Sequence, residues 1–312
     1  MYNLGTYYSE GIGVEKNVID AAKWFRKSAE LGHADSQYRL GVAYATGEGV
    51  KQDRAEAVKW YRKVADQGNV SAQYNLGYYY ANGLGGKQRH KLAAKWYRVA
   101  ADQGHSRAQC SLGLLYRKGS GVKKDPIEAV KWFSLSAEQG NPDAQFYLGA
   151  AYQWGAGVEK DARIALKWYR KSAEQGDHNA QYNLGSLYFS GEGVKRDCAE
   201  AVRLFRRSAE QGDADAQFNL AVCLVKGLGV KKNLRAAYGW HLLSLNGTKG
   251  NGSELSVLLD KSLSAAEKRV VSSRLRKWEP KDEQRPQPSG SRVRIFESRT
   301  PKAQRLSCRP RQ

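Results

Sequence analysis

Residues 36–68 read SQYRLGVAYATGEGVKQDRAEAVKWYRKVADQG, and close variants of this stretch recur along most of the 312-residue chain. A Leu-Gly pair, replaced once by Leu-Ala, marks the register and returns every 36 residues without an insertion. Seven such pairs are present: Leu4-Gly5, Leu40-Gly41, Leu76-Gly77, Leu112-Gly113, Leu148-Gly149, Leu184-Gly185 and Leu220-Ala221. A fixed period of about 20–50 residues is typical of a solenoid. The length of the chain therefore reflects the number of repeat copies and not the number of separate domains.

The first part of each copy has the periodicity of an amphipathic helix. In the third copy Ala72, Leu76 and Tyr80 stand at i, i+4 and i+8 and form one stripe, which we expect to face the core. The glycine beside this stripe, Gly77, costs about 1 kcal/mol relative to alanine inside a helix. Its recurrence predicts that a neighbouring helix approaches closely at this point.

A turn and a second helix follow in each copy. The first helix is predicted to end at a Gly-x-Gly-Val segment, such as Gly47 to Val50, because closely spaced glycines stop a helix. Within the second helix an alanine is followed three residues later by a tryptophan, or once by Leu204, which indicates interlocking of small and large side chains between hairpins. The residues predicted to cap this helix are Asn17, Asp53, Asp125, Asp161, Asp197 and Asn233.

Together these features resemble the Sel-1-like repeat family, which is related to the tetratricopeptide repeats. The resemblance rests on the pattern Ala-x-x-x-Leu-Gly-x-x-Tyr-x-x-Gly-x-Gly-Val, which starts at Ala72 in the third copy with Gly86 in place of the final valine, followed by Ala-x-x-Trp-Tyr-x-x-Ala-Ala at residues 93–101. It covers residues 1 to about 248. It implies an all-α, right-handed superhelical solenoid of about seven 36-residue helix-turn-helix repeats. It also implies an adaptor or scaffold that binds proteins, as is common in bacterial signalling, envelope and host-interaction proteins.

Three copies depart from the pattern. The third reads Gly-Leu-Gly-Gly in its turn and has Arg89 at the cap, and the seventh has Ala221, Leu224 and Gly239 in place of Gly, Tyr and Lys. We expect both hairpins to be less regular, as terminal copies usually are. In the first copy Met1 stands at the position of glutamines in later copies, which favours a shortened gene or a misassigned start.

Residues after the repeats divide into two parts. Residues 249–280 are predicted to contain a loop and a helix over 265–278 that caps the last hairpin, because Ser264 and Glu267 form a capping box ahead of an apolar stripe. Residues 281–312 hold 9 Lys and Arg against 3 Asp and Glu, and they lack apolar periodicity. We expect this basic tail to be disordered.

The face of the first helices opposite the apolar stripe is the candidate partner-binding surface. Its residues vary between copies, whereas the core residues do not, and related solenoids bind partners on their concave face. Amides can bind an extended peptide, and Tyr147 and Trp154 are of the type found at binding hot spots. Ordinary surface residues are the alternative interpretation. The residues predicted for this face are Arg39, Asn75, Tyr78, Asn82, Lys118, Tyr147, Trp154 and Asn183.

Two other classes of function were weighed against a protein-binding scaffold. The net charge of +20 and the basic tail are compatible with binding to nucleic acid or acidic lipid, although a solvated tail without function is the simpler interpretation. Ser120 and Lys123 match the Ser-x-x-Lys pattern of penicillin-recognising enzymes, but the chain has no Lys-Thr-Gly partner. The five histidines share no metal-ligand spacing. We therefore expect no enzyme activity, no metal and no cofactor.

The chain carries few indications of its compartment. Its four cysteines, Cys110, Cys198, Cys223 and Cys308, fall at unrelated repeat positions, which favours reduced thiols. The N-terminus lacks the basic and then apolar arrangement of a secretory signal, so we expect a cytoplasmic protein. A start further upstream that carried a signal would instead indicate a periplasmic or secreted protein.

Overall fold

The computed structural model describes residues 1–245, 254–275 and 278–281, and within them the chain forms sixteen α-helices and no strands. The predicted loop over 246–253 and the tail after Lys281 lie outside the described residues. The helices are α1 (Tyr2–Glu10), α2 (Val18–Glu30), α3 (Ala34–Thr46), α4 (Arg54–Asp66), α5 (Val70–Asn82), α6 (His90–Asp102), α7 (Ser106–Lys118), α8 (Pro126–Glu138), α9 (Pro142–Trp154), α10 (Ala162–Glu174), α11 (His178–Ser190), α12 (Cys198–Glu210), α13 (Ala214–Lys226), α14 (Leu234–Ser244), α15 (Glu254–Ser262) and α16 (Ala265–Leu275).

Helices α1 to α14 pair in order as seven hairpins, which confirms the predicted all-α array of two-helix repeats. The chain divides into two compact units, residues 1–144 with 156–158 and residues 145–155 with those from 159 onward. Each unit stacks hairpins of the same construction. The right-handed twist of the whole array stays a prediction.

Side-chain caps fix where each second helix begins, as predicted. Asp53 Oδ1 accepts from the amides of Ala55 and Glu56 at 2.9 and 3.0 Å, and the other predicted Asp and Asn caps accept in the same way. Arg89 makes no side-chain cap, yet α6 still has the 13 residues of its neighbours. The third hairpin therefore lacks the side-chain cap of its neighbours but keeps the length of their second helices.

The two glycines of each turn have different structural roles. The first ends the helix in the left-handed conformation, as Gly227 does at φ 70°. The second, Gly229, also has a positive φ, and a Cβ there would lie 2.1 Å from the carbonyl oxygen of Cys198 at the start of the preceding second helix. Because an L side chain would collide with this backbone, the turn itself forms part of the contact between hairpins.

The helical glycines mark close approaches between the two helices of a hairpin, as the sequence predicts. A Cβ on Gly77 would lie 2.6 Å from Cδ1 of Tyr97, whose ring is buried. The same relation joins glycine and aromatic residues 20 positions apart in the other copies. In the seventh copy Ala221 replaces the glycine and the smaller His241 replaces the aromatic residue.

Neighbouring hairpins are joined by apolar and polar contacts. Trp96 packs into the cluster of Ala57 and Tyr61 in the preceding hairpin, which confirms the predicted interlocking. Buried Gln73 donates to the carbonyl oxygen of Ala65 at 3.2 Å and accepts from Gln103 Nε2 at 2.7 Å. This glutamine ladder, which sequence reasoning missed, repeats at Gln37 with Gln67, Gln109 with Gln139, Gln145 with Gln175 and Gln181 with Gln211.

Two helices close the array after α14. The capping box is confirmed, since Glu267 accepts from the amide and hydroxyl of Ser264 and its own amide donates to that hydroxyl. Helix α16 begins as predicted, packs against α14 and is described as far as Leu275, and Trp278, the predicted last residue, is not helical. Helix α15 was not predicted, and its Leu259 is fully buried in the last core cluster.

Candidate functional site

The structure spreads the eight predicted face residues over three levels of exposure. Arg39, Lys118 and Trp154 are exposed, whereas Asn75, Tyr78, Asn82 and Asn183 are half-buried and Tyr147 is buried. Tyr147, Trp154 and Asn183 belong to the second compact unit and the other five to the first. Each unit therefore carries its own part of the predicted face.

Two of the three predicted amides of this face, those of Asn75 and Asn82, already form hydrogen bonds within the chain. Asn75 Nδ2 donates to the Tyr38 hydroxyl at 3.3 Å, which links α5 to the preceding first helix α3. Asn82 Nδ2 donates to the carbonyl oxygen of Tyr78 at 2.8 Å, and the Tyr78 ring packs beside two core clusters. Because consecutive first helices pack side by side, these positions are less open than the helical period alone suggests.

Tyr147 requires a correction. Its side chain is only 6% exposed and its ring lies 5.2 Å from that of Phe146 in an edge-on arrangement. The expectation that Tyr147 meets solvent as an open anchor was wrong, because the packing of the hairpins covers this position. A partner could reach it only after local opening of the structure.

Trp154 is the exposed aromatic residue of the face. It is the last residue of α9 and is 61% exposed, while the chain's other seven tryptophans are half-buried or buried. The equivalent positions hold Glu10, Thr46, Asn82, Lys118, Ser190 and Lys226. An indole here thus replaces a polar residue at the end of a first helix. Trp is among the residues most enriched where proteins bind one another tightly.

On the side of the second helices, an arginine and a tyrosine pair between neighbouring hairpins. Arg62 Nη2 donates to the Tyr80 hydroxyl at 2.5 Å, and its guanidinium lies 5.4 Å from the centre of the Trp96 ring. The same bond joins Arg26 to Tyr44, Arg98 to Tyr116 and Arg170 to Tyr188. We call this contact the arginine–tyrosine clip. Sequence reasoning placed these tyrosines in the core stripe and missed their arginine partners.

Histidines, a residue type common in catalytic and metal sites, cap helices in this structure. His105 Nδ1 accepts from the amide of Ala108 at 3.2 Å and so caps α7, and its ring stacks on Tyr74 at 4.7 Å. Burial lowers the pKa of His105, which favours the neutral ring that this acceptor role needs. His33 caps α3 in the same way. Within the described ranges no group of three or more His, Cys, Asp or Glu is placed to hold a metal ion.

Ser120 and Lys123 lie in the turn between α7 and α8. The amide of Ser120 donates to the carbonyl oxygen of Leu115 at 3.0 Å, as part of the helix end. This geometry belongs to the repeat turn. Among the helices that the structure describes, none is both long and apolar enough to cross a membrane.

Comparison with known proteins places this architecture in a family. The chain matches the Sel1 repeat in seven consecutive copies, at residues 1–33, 34–69, 70–105, 106–141, 142–177, 178–213 and 214–246. A solved Sel1 repeat protein from Oxalobacter formigenes is 31% identical with a TM-score of 0.69, over 83% of this chain and 74% of that chain. Comparison with curated proteins gives no match.

Two further solved structures have lower TM-scores. The protective antigen c5321 of uropathogenic Escherichia coli strains, described as displaying an SLR fold, is 31% identical over 89% of this chain and 76% of that chain, with a TM-score of 0.41. The immunity protein Pa5087 from Pseudomonas aeruginosa is 24% identical over 68% of this chain and 81% of that chain, with a TM-score of 0.43. The seven matched copies cover residues 1–246 and correspond to the seven helical hairpins, so the chain belongs to the Sel1 repeat family.

Proposed function

We propose that this protein is an interaction scaffold that holds a partner protein on the face of its first helices, with Trp154 as the central contact. Sel1 repeat proteins generally mediate protein–protein interactions. The single observation that carries the finer proposal is the exposure of the Trp154 indole at a position that is polar in the other copies. Burying such a ring against a partner would remove a large apolar surface from water.

Other face residues of the second unit suit the rim of such an interface. Asn183 is half-buried and Ser190 is exposed, and both lie on α11, the next first helix after α9. Short polar side chains at a rim can bind a partner's backbone or bridging water while the aromatic residue supplies most of the affinity. A protein or peptide with an apolar pocket or groove is the partner chemistry that fits this arrangement.

The test compares binding by the full chain and by Trp154→Ala. Proteins retained by the immobilised full chain from the source cell are identified, and the candidate partner is purified for titration calorimetry. We expect Trp154→Ala to weaken binding by about 30-fold or more, the effect of losing a hot-spot residue of about 2 kcal/mol. Ile127→Ala is the matched control, because Ile127 is 59% exposed but lies on the second helix α8.

Equal affinity of the Trp154 and Ile127 variants for the partner would contradict the proposal, provided that far-UV circular dichroism shows both to be folded. Deletion of residues 281–312 tests the alternative that the basic tail binds nucleic acid. Nucleic acid retained by the full chain, lost on this deletion and released steeply by salt would move the function to the tail.

A further inference from the structure

The last arginine–tyrosine clip of the array lacks its tyrosine. Arg206 and Trp240 stand where Arg62 and Trp96 stand four repeats earlier, but Leu224 occupies the position of Tyr80. Leu224 is buried at 3% exposure, and a leucine side chain is smaller than a tyrosine side chain and has no hydroxyl to bind the arginine. The missing ring leaves an opening between the sixth and seventh hairpins.

A cavity of about 420 Å³ occupies this place. Its apolar walls come from Leu224, Val230, Ala236 and Trp240, and the Trp240 ring is held edge-on by Trp278 at 6.4 Å. Its polar lining consists of Arg206, Glu210, Lys231 and Asn233. An aromatic wall with a few placed polar groups is the usual construction of a small ligand pocket.

The charges around the cavity leave Arg206 available. Glu210, one helical turn after Arg206, is held by Lys281, whose Nζ lies 3.0 Å from its carboxylate and whose amide donates to its carbonyl oxygen at 2.8 Å. The Arg206 side chain makes no hydrogen bond or ion pair with any residue that the structure describes. The guanidinium that binds a tyrosine hydroxyl in four other clips is therefore free at the edge of this cavity.

We propose that this cavity binds a tyrosine side chain of a partner protein, which completes the unfilled clip. The ring would lie between Leu224 and Trp240, and its hydroxyl would accept a hydrogen bond from Arg206. The four intact clips of the same molecule provide the template, because each holds a phenol hydroxyl on the equivalent arginine. This site is separate from the face around Trp154 and does not depend on it.

The first test uses p-cresol, the side chain of tyrosine, as the probe on the full chain. Nitrogen-15 spectra resolve the tryptophan indole N–H signals, and Trp240→Phe assigns the signal of Trp240. We expect p-cresol to shift the Trp240 signal in a saturable manner and to leave that of Trp24 in place. Toluene, which lacks the hydroxyl, should bind about fivefold more weakly. The absence of a saturable Trp240 shift would overturn the proposal.

Three variants make the result specific. Leu224→Tyr should fill the cavity from within, bind Arg206 and abolish the p-cresol shift. Arg206→Met keeps an apolar stem and should bring the p-cresol affinity down to that of toluene. Tyr80→Leu should open an equivalent cavity, so that the Trp96 signal begins to respond to p-cresol. An unchanged response in Leu224→Tyr would refute the assigned position of the ring.

Two comparisons separate this proposal from others. If p-cresyl phosphate binds and p-cresol does not, the proposal is overturned and a phosphorylated ligand is indicated instead. Trp154→Ala should leave the p-cresol-induced shift of the Trp240 signal unchanged. The partner-binding test of Trp154 and the p-cresol test of this cavity can therefore fail independently of each other.

Discussion

Replacing Gly77 by alanine adds one methyl group where α5 meets α6. Its Cβ would lie 2.6 Å from Cδ1 and 2.8 Å from Cε1 of Tyr97. Both distances are far below the usual separation of about 3.5–4.0 Å between carbon atoms. Tyr97 is 4% exposed and sits in a packed cluster, so the ring can move away only by displacing other core residues.

Two opposing effects set the magnitude. Alanine is about 1 kcal/mol better than glycine inside a helix. Overpacking a well-packed core costs about 1–3 kcal/mol. Since the Tyr97 ring beside Gly77 is packed on its other sides, we take the upper part of this range for the cost of overpacking. We expect Gly77→Ala to lower the free energy of unfolding by about 1–2 kcal/mol.

Gly239→Ala is the matched control, because Gly239 also lies within a helix but meets only side-chain atoms of α16. Its added Cβ would be 3.3 Å from Val271 Cγ1 and 4.0 Å from Leu275 Cδ2. A small shift of these ends relieves the contact, so the helix preference for alanine should offset the strain. We expect Gly239→Ala to change the free energy of unfolding by less than about 1 kcal/mol.

Urea unfolding followed by far-UV circular dichroism measures both variants against the parent chain. The slope of the transition must be compared as well as the midpoint, because repeat arrays can unfold in more than one step. A Gly77→Ala chain as stable as the parent, or more stable, would refute the close-approach explanation of the repeated glycine.

Three further predictions concern polar and titratable groups. Gln73→Met should lower the free energy of unfolding by about 1–2 kcal/mol, because it removes the side-chain hydrogen bonds that join Gln73 to Ala65 and to Gln103. A urea midpoint equal to that of the parent would contradict the role of the ladder. Hydrogen bonds from the backbone amide of the cap and then from a neighbouring arginine lower the pKa of Glu267 to about 2. The stabilisation that ionised Glu267 gives to the packing of α16 should therefore be complete above the ordinary carboxyl pKa and be lost as the pH falls towards 2. An NMR titration of the Glu267 carboxyl group measures this pKa. A measured pKa near 4.3 would contradict the prediction. Burial raises the pKa of the Cys110 thiol and covers it, whereas Cys198 is half-buried. In a Cys308→Ser chain the thiol reagent DTNB should therefore modify Cys198 first and Cys110 only after unfolding. Rapid labelling of Cys110 in the native chain would show that the hairpins open locally.

Much of the fold follows from the sequence because its signals act over a few residues. The period of 36 fixes the register, Asp53 caps the helix that starts beside it, and the paired glycines end the helix before them. The recurrence of Gly77 also indicated a close contact, and the structure identifies its partner as Tyr97. Local hydrogen bonds and helical spacing carry this information, so no knowledge of distant residues is needed.

The candidate site follows from the sequence only in part. Helical spacing placed Trp154 and Tyr147 on one face, but the packing of the hairpins leaves Trp154 exposed and covers Tyr147. Burial of a side chain depends on what lies beside its helix, which the period of a single helix does not contain. The sequence thus proposed the face, and packing selected which of its residues are accessible.

The sequence by itself determined the repeat, the hairpins and their caps, because each depends on neighbours within about one helical turn or on the repeat period. Tertiary structure alone decided the glutamine ladder, the arginine–tyrosine clips and helix α15. Gln103 and Gln73 are 30 residues apart, and Arg62 and Tyr80 are 18 apart on different hairpins. Leu224 reads as an ordinary apolar substitution until stacking places it between Arg206 and Trp240. Such features arise when separate repeats bring their side chains together, and that juxtaposition exists only in the packed array.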